Sequence, residues 1–288
     1  MLPKLVDLHL PFGVVLPIYS YGLMILVGFG AAFLLVSSLA RRYGVRPGLV
    51  FDIGIVAVAS GFVGAKISFF LTNLRLFSYF LEDPVHRFGL ITGGFDFFGG
   101  LILAVPSVYW FLRRKGFEPF SFGDVLAPGI ALAHAFGRIG CFLNGCCYGF
   151  RCDSFGVSFP QGSAVYLDQL SAGDLPAGAA ASLPVLPTQL FESALLFLLT
   201  LGLLFLFYRR SFAGQGIASY LIAYGLIRFG LQFTRADEAI HIGPFAIWHL
   251  IALLVTGFGV WLYFAFKRRN RPPDAVRLEP PPAAEDAG

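Results

Sequence analysis

Charge is what this chain has least of. Of its 288 residues only 13% are Asp, Glu, Lys or Arg, 57% are hydrophobic, and the mean hydropathy is +0.73. Soluble domains carry about 25% charged residues. A chain with half that share cannot cover a water-facing surface and needs lipid as part of its solvent. Other absences narrow the field. The net charge is +4, yet there is no basic stripe of the kind nucleic-acid binding requires. Residues 1–17 hold no long apolar core and no small-residue cleavage site at the usual distance, so the first apolar run reads as a retained helix. No cysteine lies near the N-terminus, so the chain is not itself an obvious lipoprotein. No internal repeat is visible, which weakens a transporter built from inverted repeats.

What is there is a series of apolar runs. A spanning helix needs about 20 mostly apolar residues, and seven runs are candidates: 18–39, 50–71, 90–112, 122–143, 190–208, 217–233 and 245–266. Basic residues cluster in alternate links: Arg41, Arg42 and Arg46; Arg113, Arg114 and Lys115; Arg209 and Arg210; and Lys267, Arg268, Arg269 and Arg271. The positive-inside rule makes that side cytoplasmic. The expected fold is therefore an all-α integral membrane protein of about seven transmembrane helices. Its N-terminus is outside and its C-terminus cytoplasmic. A small external segment, about 145–187, lies between the fourth and fifth helices and folds back onto the bundle, being too short for a robust core of its own. Residues 1–270 form the transmembrane domain, and 271–288, rich in Pro, Ala and acids, are expected to be a disordered cytoplasmic tail. Localisation in a bacterial inner membrane follows from the resemblance described below.

The informative residues in such a chain are polar ones at membrane depth, each costing about 2.5–3.5 kcal/mol if unpaired at the centre of a span. They are Lys66, Asp96, Asp124, His134, Arg138, Asn144, Glu192, Arg228, Gln232, Arg235 and His249. Helical spacing puts Arg228, Gln232 and Arg235 on one face. His134 lies one turn before Arg138, on the same face. Two intramembrane guanidiniums, Arg138 and Arg228, need partners. Either the carboxylates Asp124 and Glu192 tie helices together with them, or an anionic ligand does, and a phospholipid phosphate fits the bidentate geometry of Arg. Gly93, Gly94, Gly99, Gly100, Gly137, Gly140 and Gly145 read first as close helix contacts.

All four cysteines fall between 141 and 152. Small apolar packing, a disulfide among Cys141, Cys146, Cys147 and Cys152, a nucleophilic thiol near Arg138, and a metal site all remain open. A zinc site is disfavoured because the only nearby histidine, His134, has the wrong spacing. No metal or other cofactor is expected.

Several segments taken in order resemble the prolipoprotein diacylglyceryl transferase family, from about Tyr19 to Phe233 with gaps. They are the run from Tyr21 through Met24, Gly94 through Leu101, Gly137-Arg138 through Gly149, Leu186 through Glu192 with Gln189 inside it, and Arg228 through Arg235; Asp124 precedes the third at the family's spacing. The resemblance implies transfer of the diacylglyceryl group of phosphatidylglycerol to the lipobox cysteine in a prolipoprotein signal peptide, with glycerol phosphate released. By the same resemblance Arg138 and Arg228 hold the phosphate and head group. Tyr21, Asp124, Asn144, Gln189, Glu192, Gln232 and Arg235 bind substrate or shape its pocket.

This chain departs from the family pattern at several positions. Phe98 stands where His or Tyr is usual, Cys146 replaces the signature Glu, and Cys141 replaces its first Asn. Leu186 replaces His and Gln232 replaces Glu. The segment ending at His249 also differs. With Phe98 removing one candidate base, His134 becomes the catalytic candidate and His249 the second, each weighed against a role in helix packing. The leading expectation is an active transferase. The alternatives are a divergent relative that binds phospholipid or modifies another acceptor, and a small transporter.

Overall fold

The structure is a computed structural model and describes residues 4–9, 15–82, 94, 96–236, 241–242 and 245–277. The expected start of the third span at Leu90, Gly93, and the tail past residue 277 lie outside the described residues. A hairpin of β1 (Lys4–His9) and β2 (Val15–Tyr19) leads into α1 (Ser20–Ala40). A 3₁₀ turn (Arg41–Tyr43) ends on Gly44 and is followed by α2 (Pro47–Thr72) and α3 (Leu74–Glu82). Then come α4 (Phe97–Arg114), α5 (Pro119–Asn144), α6 (Ala164–Ser171), α7 (Thr188–Arg209) and α8 (Gln215–Gln232). A two-residue hairpin of β3 (His241–Ile242) and β4 (Phe245–Ala246) precedes α9 (Ile247–Arg269).

Long helices are what apolar sequence must form in lipid, where every backbone N–H and C=O has to be satisfied within the chain. Five of them, α1 with its 3₁₀ turn, α2, α5, α7 and α9, are long and apolar enough to cross a membrane. Both α4 and α8 have 18 residues but a diluted apolar run. Pro106 and the terminal Arg113 and Arg114 lower the hydropathy of α4, and Arg228 with the terminal Gln215 and Gln232 that of α8. Large apolar side chains face outward: Ile102 and Leu254 are each 73% exposed, which suits hydrocarbon and not water.

The chain divides into two compact units, Met1–Val36 with Gly123–Pro273, and Ser37–Phe122 with Asp274–Gly288. In the smaller unit α2 packs on α4 through small residues. A Cβ on Gly99 would lie 2.1 Å from Ser68 Cβ, and one on Gly64 would lie 2.4 Å from the Gly99 carbonyl oxygen, so the helix backbones nearly touch. Asp96 caps α4 by accepting the Phe98 N–H at 3.1 Å, and it also accepts the Ser68 hydroxyl. Lys66, buried in α2, donates to the Gly94 carbonyl at 2.8 Å. Phe98 therefore sits in the first turn of α4, 36% exposed.

In the larger unit α1 crosses α5, and a Cβ on Gly28 would lie 2.9 Å from Phe136 Cβ. Helix α8 packs against both α7 and α9. The segment between α5 and α7 folds back onto the helices, as expected. Phe159, Val165 and Val185 form a buried cluster that also takes in Phe142 from α5, and Gln169 in α6 accepts the Leu183 N–H at 2.8 Å.

The tail differs from expectation at its start. Within the larger unit, Arg271 accepts the Ala213 N–H at 3.0 Å. Within the smaller, Val276 is 1% exposed and its carbonyl accepts the Glu118 N–H at 2.9 Å. Residues 271–277 are thus held by backbone pairing, a signal that composition does not carry.

Candidate active site

Three helices of the larger unit supply the site. On α5, His134 and Arg138 are four residues apart and face α7, whose Glu192 is 1% exposed. Glu192 Oε1 lies 3.0 Å from Arg138 Nη2 and 3.9 Å from His134 Nε2. Ser193 fastens the same two helices by donating to the Ala135 carbonyl at 3.0 Å.

From α8, Tyr224 interacts with Arg138 and lays its ring 5.1 Å from that of His134. One turn further on, Arg228 interacts electrostatically with Glu192, Tyr224, Arg138 and Arg235. Arg138 thus pairs with Glu192 directly, and Arg228 feels the same carboxylate from beyond ion-pair distance.

Several buried atoms here lack a hydrogen-bond partner among the described residues: Arg138 Nε, Arg228 Nη1, Gln189 Oε1 and Gln232 Oε1. Leaving a buried polar group unpaired costs about 1–3 kcal/mol each. A cluster of unpaired donors and acceptors beside several guanidiniums has the chemistry to hold a polar group.

The segment after α5 forms one end of this site. The chain reverses at Gly145, with φ 72°, where a side chain would also meet Phe159 and Ser163 at 3.0 Å. Gln189 Nε2 then donates to the Cys146 carbonyl at 2.7 Å, and Thr188 donates to that of Cys147 at 3.0 Å. None of the four cysteines is in a disulfide; the sulfurs of Cys141, Cys146 and Cys147 lie within 4.8 Å of one another, while Cys152 is not part of the cluster. Tyr21 at the start of α1 faces these thiols and Arg138. Asn144 interacts with Cys146, whose thiol donates to the Cys141 carbonyl at 3.7 Å. Hydrogen bonds from Cys141 and Cys146, with the charge of Arg235, hold the Cys147 thiol well below its ordinary range.

Two sequence expectations change. Asp124 is not in this cluster. It lies 14 residues before Arg138 on the same helix, about 21 Å at 1.5 Å per residue. Its buried carboxylate accepts the N–H of Gly214 at 2.8 Å and of Ile217 at 3.0 Å, capping α8, and pairs with Arg210 at 3.6 Å. Arg210, counted above as a loop cation, is buried and also donates to the Phe207 and Pro273 carbonyls. Arg235 does not share a helical face with Arg228 either. Helix α8 ends at Gln232, and a turn brings Arg235 into a β-bridge with Gly149, from which it reaches Cys147.

His249 is a capping residue. Its Nδ1 accepts the Ala246 N–H at 3.1 Å, and its ring is surrounded by Phe229, Phe233 and Phe245. Tyr224 was missed in the sequence, although it stands one turn before Arg228 and continues its polar face.

Fold and site together define a multi-pass membrane protein with a buried, arginine-rich polar cluster. The chain belongs to the prolipoprotein diacylglyceryl transferase family, whose model matches residues 9–265. It is 32% identical over 257 residues to phosphatidylglycerol–prolipoprotein diacylglyceryl transferase 2 of Clostridium perfringens, covering 89% of this chain and 94% of that protein. A phosphatidylglycerol–prolipoprotein diacylglyceryl transferase of Clostridium tetani is 29% identical, covering 86% and 93%. One from Corynebacterium diphtheriae is 32% identical, covering 88% and 89%.

Proposed function

We propose that this protein transfers the diacylglyceryl group of phosphatidylglycerol to the lipobox cysteine of prolipoproteins. The observation that carries this reading is the convergence of Arg138 and Arg228 on one buried carboxylate, with donor atoms left over. Arg228 and the free edge of Arg138 bind the lipid phosphate, and Glu192 and Tyr224 orient Arg138. Gln189 and Gln232 present buried carbonyl oxygens to hydroxyls of the glycerol head group. Tyr21 and Asn144 line the end of the site from which the acceptor thiol approaches, and Arg235 adds positive charge there.

The acceptor sulfur attacks the glyceryl carbon as the bond from that carbon to the phosphate oxygen breaks. The electron pair leaves with glycerol phosphate, whose growing charge the guanidiniums stabilise. His134 is the imidazole of the site and the candidate to take the thiol proton.

In the same reading α4 and α8 also cross the bilayer, for seven spans in all. The N-terminus is outside, the C-terminus is in the cytoplasm of a bacterium, and the protein resides in its inner membrane. Residues 1–270 then form the catalytic domain, and the chain past residue 277 is a cytoplasmic extension. The alternating Arg and Lys clusters support that orientation. Shortened spans such as α8 are tolerated where a polar face lines a cavity.

The test is complementation of a strain depleted of its own transferase, with mass spectrometry of a reporter lipoprotein. The expected product is a diacylglyceryl thioether on the lipobox cysteine. A reporter left unmodified by well-expressed protein overturns the proposal.

A further inference from the structure

Phosphate binding makes no use of the three thiols at the end of the site. Cys141 comes from the last turn of α5, while Cys146 and Cys147 arrive after the reversal at Gly145. The arrangement is built rather than incidental. The Cys146 N–H donates to the Cys141 carbonyl at 3.1 Å, Gln189 and Thr188 hold the next two carbonyls, and Cys147 is fixed at φ 61°, a conformation rare for a residue with a side chain. Arg235, held in a β-bridge with Gly149, brings its positive charge to Cys147 from outside the cluster.

A disulfide would join only two of the three and leave the third idle, and the adjacent pair Cys146–Cys147 is a poor geometric match. A thiophilic cation uses all three. Zinc–sulfur bonds of about 2.3 Å set tetrahedral sulfurs about 3.8 Å apart, so sulfurs within 4.8 Å close on an ion by small side-chain movements. Three thiolates and a divalent cation leave one negative charge, which Arg235 balances from the outer shell. The unsuitable spacing of His134 is no obstacle, because three cysteines need no histidine ligand. No His, Asp or Glu among the described residues completes the set, so the fourth position is open, as in catalytic and not structural zinc sites.

We propose that Cys141, Cys146 and Cys147 bind one divalent cation of the zinc class, whose open position takes the thiol of the acceptor peptide. The identity of that fourth ligand rests on the transferase reading above. On coordination the acceptor thiol loses its proton, which His134 need only pass on to solvent. The bound thiolate then forms the carbon–sulfur bond while glycerol phosphate departs with the electron pair, and the cation keeps its oxidation state. The site supplies an activated thiolate in a chain that carries Phe98 and Cys146 where its family carries a base or donor.

Full-length protein, purified in detergent with its thiols reduced, is titrated with Co²⁺. The expected result is one ion per chain, with sulfur-to-cobalt absorption in the near ultraviolet and the visible bands of a tetrahedral site, both displaced by Zn²⁺. Cys141→Ser, Cys146→Ser and Cys147→Ser should each weaken binding by about tenfold or more, and Cys152→Ser should not. A lipobox peptide should shift the visible bands, and its Cys→Ser form should not. Absence of the bands, their persistence in Cys147→Ala, or a disulfide found among the three thiols in freshly purified protein overturns the site. Bands that ignore the peptide overturn the open position. Diacylglyceryl transfer is assayed in parallel. Cobalt binding without transfer overturns the transferase reading and leaves the metal site standing, whereas transfer that survives in a variant unable to bind cobalt overturns the catalytic use of the metal.

Discussion

Arg138 Nη2 lies 3.0 Å from Glu192 Oε1, and Arg228 approaches the same carboxylate from a different helix. The carboxylate pairs directly with Arg138 and attracts Arg228 only from beyond ion-pair distance, and that division of labour leads to the first prediction. Glu192→Gln should still bind phosphatidylglycerol in nanodiscs, because a negative charge is removed and both guanidiniums remain. Transfer to a reporter peptide should fall by about 100-fold, since Arg138 loses its orienting partner. Full transfer activity in the purified variant would remove Glu192 from the machinery.

Arg138→Ala and Arg228→Ala should each lower transfer by about 100- to 1,000-fold, the cost of removing one donor to developing charge. Neither should unfold the protein, and helicity by circular dichroism checks this. Arg228→Lys should recover only part of the loss, because an ammonium cannot pair bidentately with phosphate. Wild-type turnover by either alanine variant would end the phosphate-clamp assignment.

Asp124 and Arg210 should behave as a folding element. Breaking a buried ion pair by removing one partner costs about 3–5 kcal/mol, and Asp124 also holds the N–H groups of Gly214 and Ile217 at the start of α8. Asp124→Asn and Arg210→Ala are each expected to lower the thermal midpoint in detergent. The double variant should lose less than the sum, by about 0.5–3 kcal/mol of coupling. Transfer per folded molecule should be retained. A midpoint equal to wild type, or loss of turnover in folded protein, would return Asp124 to the substrate site.

Small residues at the contact of α2 and α4 should be irreplaceable where the backbones meet. Gly99→Ala on α4 places a methyl 2.1 Å from Ser68 Cβ of α2, whereas Gly54→Ala, on α2, meets nothing within 4 Å. The first should lower the thermal midpoint and the second should leave it unchanged or raised, since Ala favours helix by about 1 kcal/mol over Gly. Equal midpoints for the two variants would show that this contact is looser than described.

Much of the protein was legible along its length. Scarce charge and long apolar runs decide the solvent, because no arrangement of so few charged residues can cover a water-facing surface. Arg138 and Arg228 stand out as intramembrane charges whatever the fold, because burying a guanidinium is costly enough to demand a partner. What sequence order does not contain is the rotation and depth at which helices meet, and these decide which charges pair. Asp124 and Glu192 looked equivalent as partners, yet Asp124 sits about four turns of α5 away from Arg138, against Arg210 and the start of α8. Arg235 read as the next step of a helical stripe, but α8 ends at Gln232 and a β-bridge to Gly149 redirects it. The convergence of three thiols likewise depends on Gly145 and Cys147 adopting positive φ, a backbone choice stabilised by Gln189 and Thr188 from a helix 41 or more residues further along the chain. Composition and local pattern thus determine that this is a membrane protein with buried arginines. Only tertiary packing, by bringing distant residues within hydrogen-bonding reach, decides which of its polar groups are spent on holding helices together and which remain free for a ligand.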